Sequence, residues 1–75
     1  MNEDIFMRLA HTPPEQLPEY YAVQWGKTPA GGDFTVMLFL NAAGQPCARQ
    51  DAARIELCEC DYRGKPLFRS TLDRK

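Results

Sequence analysis

Between Tyr20 and Leu72 the apolar residues recur mostly every second position, the period of a strand, and only ahead of them does a helical spacing occur. Ile5, Phe6, Leu9 and Ala10 fall on one side at intervals of three and four, which predicts a short helix over residues 2–11. Asn2 is placed to cap it, and Glu3 and Asp4 lie in the first turn, where the helix dipole favours negative charge. Pro13 ends it, because the residue before a proline is pushed out of the helical region. Thr12-Pro13-Pro14-Glu15 then reads as a fresh start: Thr12 as N-cap, Pro13 at the first helical position and Glu15 completing a capping box. Pro18 closes this piece within a turn, so residues 1–18 are expected to form a bent helical arm.

From Glu19 onward the pattern is that of a sheet. Tyr21, Val23 and Trp25 alternate with Tyr20, Ala22 and Gln24, which sends Tyr21 and Trp25 to the core and Tyr20 outward. Gly26 to Gly32 is rich in breakers and reads as loop. Phe34 to Leu40 is apolar on both faces, with Phe34, Val36, Leu38 and Leu40 on one and Met37 and Phe39 beside Thr35 on the other. Such a strand belongs in the middle of a sheet.

Two stretches twenty residues apart echo one another. In Asn41-Ala-Ala-Gly44-Gln-Pro46 and Asp61-Tyr-Arg-Gly64-Lys-Pro66, every shared residue has a turn-making reason. The Asx side chain accepts from the turn backbone, the glycine takes a positive φ, and the proline opens a strand without needing its N–H. The echo therefore predicts two hairpins rather than a ligand repeat, pairing Phe34–Leu40 with Gln45–Gln50 and Arg54–Cys60 with Lys65–Leu72. A rival reading has Asp51 cap a helix running to Gly64, with Glu59 and Arg63 as an i,i+4 pair, but a hairpin at Gly64 requires a strand on each side. Between Leu57 and Cys58 the apolar phase changes face, which points to a bulge or a strand buried on both sides. The expected fold is thus α+β, mainly β. A short N-terminal helix precedes a small antiparallel meander or partly open barrel of about five strands, with 1–75 as a single domain and the sheet over 19–75.

Composition narrows the function classes. At 75 residues the chain sits near the lower limit for an unstapled domain, a size at which a partner or second copy often adds stability. The longest apolar run, Val36 to Leu40, is far too short to cross a bilayer, and the acidic start Met-Asn-Glu-Asp is unlike a secretory signal. A cytoplasmic protein with reduced thiols is expected. Net charge is −1, but unevenly spread: residues 1–48 carry two basic against five acidic side chains, and 49–75 seven against five.

Candidate chemistry is thin. Cys47, Cys58, Cys60 and His11 together have the composition of a Cys3His zinc site, yet Cys-x-Cys on a strand wraps an ion poorly, and core thiols are the preferred reading. His11 reads as a helix-end residue near the last carbonyls. Ser70, the only serine, lacks a nucleophile-elbow context, and Gly26-Lys27-Thr28 lacks the earlier glycine of a phosphate-binding loop. No catalytic constellation emerges, so neither an enzyme nor a cofactor is expected.

What remains is surface. Tyr20 and Trp25 are of the types enriched at binding hot spots, and Arg63, Lys65 and Arg69 supply charge on the last hairpin. The first expectation is a small protein-binding module, a regulator or inhibitor that occupies a site on a larger protein. Small size also suits products of phages and mobile elements, an analogy only. The alternative is a nucleic-acid binder using the basic C-terminal hairpin with Tyr62 and Phe68, against which Glu56, Glu59, Asp61 and Asp73 are interspersed. An unpaired sheet edge also suits a homodimer.

Overall fold

The computed structural model describes residues 2–73, and within the first helix the side chains from Ile5 onward. Helix α1 spans Asn2–His11, as the apolar spacing predicts; the capping side chain of Asn2 and the carboxylates of Glu3 and Asp4 lie outside the described residues. Thr12 does not cap the next element. Its hydroxyl donates instead to the Arg8 carbonyl (2.6 Å), closing the end of α1, and the short 3-10 turn Pro14–Gln16 starts without a side-chain cap. Proline at the start of that turn needs no capped N–H, which leaves Thr12 free to serve the helix behind it.

Four strands follow: β1 (Tyr21–Trp25), β2 (Phe34–Leu40), β3 (Arg54–Cys60) and β4 (Pro66–Asp73). They form one antiparallel sheet in the order β1-β2-β3-β4. Five strands and a barrel-like closure were expected, and neither is present among the described residues. The missing strand is Gln45–Gln50, which makes only an isolated bridge between Pro46 and Leu40 before turning into the 3-10 segment Arg49–Asp51. The reason is geometric. A strand has two edges; β1 occupies one edge of β2 as far as the Phe39 N–H and β3 the other, so only the Phe39 carbonyl, which accepts from Cys47 N–H, and Leu40 are left to meet the returning chain. Residues 54–60 are strand, not the rival helix.

Register divides the sheet into two faces. Trp25, Phe34 and Cys60 lie across from one another on one face, followed by the rows Val23, Val36, Cys58, Arg69 and Tyr21, Leu38, Glu56, Thr71. Helix α1 covers part of this face: Phe6, Leu9 and Ala10 pack on the cluster Phe34, Val36, Cys58 and Cys60, of which Phe34 and Cys60 are completely buried. At about 25 cal/mol per Å² of apolar area removed from water, this cluster is the main source of stability.

The opposite face carries Ala22, Met37, Leu57 and Ser70 in one row and Phe39, Ile55 and Leu72 in the next, with Phe68 beside Glu59 at a corner. The change of apolar phase along β3 follows from this arrangement. Ile55 and Leu57 serve the helix-free face, Cys58 and Cys60 the helix face, and a register shift falls at Glu59/Cys60.

Candidate interaction surface

The helix-free face is bounded at its two ends and open in between. At one end the loop 26–33 is tied down by the Ala30 N–H, which donates to the Glu59 carboxylate at 2.9 Å. At the other, the segment that replaces the fifth strand crosses Phe39, with the Arg49 guanidinium 5.7 Å over its ring, and Phe39 is buried. Between these covers Met37, Ile55 and Leu57 are half-buried, and Phe68 and Leu72 on β4 are 52 % and 54 % exposed. A sheet buries both faces when it has material to do so. Here one helix covers one face, and nothing among the described residues covers the middle of the other.

A second concavity lies on the helix side. Beside α1, where the helix stops short of β4, Ile5, Phe6, Tyr21, Leu38, Glu56 and Arg69 line a groove of about 530 Å³. Its floor is apolar, and the Arg69 guanidinium stands 5.9 Å over the Phe6 ring.

The residues expected to bind a partner are distributed rather than gathered. Trp25 lies at the rim, 53 % exposed, not in the core where alternation sends it. Its indole N–H donates to the Ala10 carbonyl (3.4 Å), and its ring meets Phe34 at 4.7 Å and His11 edge-on at 6.3 Å, so it fastens the end of α1 to the sheet. Tyr20, half-buried at the other end of β1, rests against Tyr21 with ring centroids 5.0 Å apart. Arg63 turns back on its own neighbour, its Nε donating to the Tyr62 hydroxyl (3.0 Å) with the guanidinium 5.4 Å over that ring. Lys65 is exposed at the same turn, its backbone N–H held by Asp61. Arg69 belongs to the groove. Only Arg63 and Lys65 share a location.

The thiols and the histidine are also separate. Cys58 and Cys60 are buried with their sulfurs 3.8 Å apart. Cys47 lies beside Phe39, five residues further along β2 than Phe34, the partner of Cys60. The His11 ring is hydrogen-bonded at Nδ1 with the Met7 carbonyl (3.0 Å), at the helix end as expected. Among the described residues no three His, Cys, Asp or Glu side chains are grouped as a metal ion requires. Burial, first of all, and then the neighbouring Cys58 and Asp61 push the Cys60 thiol up to about 12, against a lesser opposing pull from Arg69. Burial, then Asp51 and Glu19, also raises Cys47. Thiolate is the reactive form, so these environments work against nucleophilic chemistry at neutral pH.

The face formed by Met37, Ile55, Leu57, Phe68 and Leu72 is the part that sequence reasoning missed. Its signal was present as the alternation Phe68, Ser70, Leu72 opposite Ile55 and Leu57, but seeing that no second layer covers it requires the count of elements. Compared with models of protein families, with curated proteins and with solved structures, the chain matches none. No helix among the described residues is long and apolar enough to cross a membrane.

Proposed function

We propose that this chain is a protein-binding module, a regulator or inhibitor that acts by laying the helix-free face of its sheet on a larger protein. One observation carries the reading: Phe68 and Leu72 stand half exposed beside Met37, Ile55 and Leu57, forming one apolar patch between two polar-edged covers. A contiguous apolar patch on a small soluble domain marks an interaction site, whereas single exposed apolar residues need no explanation. The occupant with matching chemistry is a protein surface presenting an apolar strip. A phosphate backbone gains little there, because none of Met37, Ile55, Leu57, Phe68 and Leu72 is basic, and Arg49 at the border of the face lies over the Phe39 ring.

The test is capture of partners by the tagged chain from nuclease-treated lysate of its source cells, washed at high salt, beside two variants. Phe68→Ser/Leu72→Ser removes the apolar contact on an exposed strand, and Arg63→Gln/Lys65→Gln/Arg69→Gln removes the basic charge. The expected result is one stoichiometric partner, kept by the charge variant and lost by the apolar variant while circular dichroism stays native. Loss with the charge variant, or capture that disappears with nuclease, overturns this reading in favour of nucleic acid.

A further inference from the structure

The free edge of β4 carries a pattern that fits itself. The backbone bonds Gly26 N–H to Asp33 C=O and Phe39 N–H to Tyr20 C=O turn the odd-numbered residues of β2 toward β1. Strict alternation then turns its even residues toward β3 and the odd residues of β3 toward β4, where their partners are Phe68, Ser70 and Leu72. The N–H and C=O groups of Arg69, Thr71 and Asp73 therefore face outward, away from the sheet. Three successive outward residues are a template for another strand.

The devices that usually blunt such an edge are absent from 68–73: there is no proline, no lysine, and the register shift lies before it. The charges that are present have opposite sign and stand four residues apart. Both are on the helix side of the sheet, in the rows of Cys58 and Arg54. Asp73 already holds Arg54 through one oxygen (3.3 Å), leaving the other free, and Arg69 has no acidic partner among the described residues.

We propose that β4 pairs with β4 of a second copy, antiparallel across a two-fold axis at Thr71, joining two four-stranded sheets into one of eight strands. In this register Arg69 lies opposite the partner's Asp73, and by symmetry Asp73 lies opposite the partner's Arg69. Residues directly opposite in an antiparallel pair have Cβ atoms about 5 Å apart, within reach for ion pairing. Thr71 meets its own counterpart as a hydrogen-bonded pair, which its outward N–H and C=O permit. Moving the axis by one residue, to Ser70, sets Arg69 against threonine and Asp73 against leucine, and both charge pairs are lost. Charge complementarity thus selects both the occupant and the register. An isologous contact of this kind closes after two copies instead of growing into a fibre.

The inference goes beyond the protein-binding reading and does not depend on it. If β4 joins β4, the helix-free faces of the two copies run on into one another, and Phe68 and Leu72 come to lie near the centre of a doubled patch instead of at its border.

Sedimentation velocity of the full chain over a wide concentration range tests it, with Arg69→Asp, Asp73→Arg and the double variant Arg69→Asp/Asp73→Arg. Wild type is expected to move from monomer to dimer as concentration rises. Each single reversal places like charges opposite one another twice and should raise the dissociation constant at least tenfold; the double reversal rebuilds both pairs and should restore association. Thr71→Pro deletes an N–H that β3 does not use, and should leave a folded monomer. A wild type that stays monomeric overturns the proposal, as do single variants that associate like wild type or a double variant no better than the singles. None of these outcomes bears on whether a different protein is captured by the apolar face.

Discussion

In the turn at 41–45 the side-chain oxygen of Asn41 accepts from the N–H groups of Ala43 (2.9 Å) and Gln45 (3.0 Å). Gly44 N–H donates to the Asn41 carbonyl (2.9 Å), and Asn41 N–H donates to the Gln45 carbonyl (2.8 Å). At 61–65 the same four bonds recur with Asp61, Arg63, Gly64 and Lys65, at 2.8, 3.0, 2.9 and 3.1 Å. The two glycines have φ of 82° and 85°, a conformation in which a side chain would be strained. Yet the second turn leads into a strand of eight residues and the first into a single bridge. Turn chemistry is local, and six residues suffice to specify it. Whether the chain then continues as a strand depends on a free edge to pair with and on residues that suit one. After Pro66 the chain finds the open edge of β3 and offers Leu67, Phe68, Thr71 and Leu72. After Pro46 it finds β2 already taken by β1, and offers Ala48, Gln50, Asp51 and Ala52, which have weak strand preference.

The contrast is broken most forcefully by proline. Ser70 pairs with Leu57 through an N–H that faces β3, so Ser70→Pro should cost about 3 kcal/mol or more, most of the stability of so small a domain. Ala48 already has φ −66° and ψ 155°, and among the described residues its N–H donates to no backbone carbonyl. Ala48→Pro should therefore stay within about 0.5 kcal/mol of wild type. Urea unfolding of the two variants measures both, and equal losses would refute the contrast.

A smaller effect separates the two Asx residues. Each side chain accepts two backbone hydrogen bonds, but those to Asp61 are charge-assisted and hold a turn with a full ladder beyond it. Asp61→Ala should cost about 2 kcal/mol and Asn41→Ala about 1 kcal/mol in the same unfolding experiment. A larger loss at Asn41 would mean that the first turn, not the second, organises the sheet.

The effect that is smallest at neutral pH, and grows only in alkali, concerns the cysteine next to the second turn. Cys60 has its thiol raised from the ordinary value of 9.0 to about 12, so the folded state holds a proton that the unfolded chain releases. Its contribution to stability is complete below about pH 9 and is lost as pH climbs from there toward about 12. Thermal melting from about pH 7 to about pH 11 should show a falling midpoint above about pH 9, with a shallower fall in Cys60→Ala. Identical slopes would show that the thiol is not the group responsible.

The sequence made the short-range features legible. Helix α1, both turns and the strands β1 to β4 follow from spacing, breakers and Asx-Gly chemistry, each of which acts within a few residues. What stayed hidden depends on competition between distant segments. Residues 45–50 have a turn before them and a proline where a strand begins, but β1 wins the edge of β2 that they would need. Trp25 alternates correctly onto the helix face, yet lies where that face ends, which only the length of α1 decides. The patch at Phe68 and Leu72 is apolar in sequence, but its exposure depends on there being one helix and not two.

Native-state amide hydrogen exchange tests the central claim most directly: β1, not the segment after the first turn, completes the sheet on the far side of β2. The amides of Ala22 and Gln24, whose N–H groups face β2, should exchange as slowly as those of Phe68, Ser70 and Leu72, whose N–H groups face β3. Fast exchange at Ala22 and Gln24 with slow exchange retained at Phe68, Ser70 and Leu72 would contradict the account, for it would mean that β1 does not hold the edge of β2 and leaves it open to the chain after the first turn.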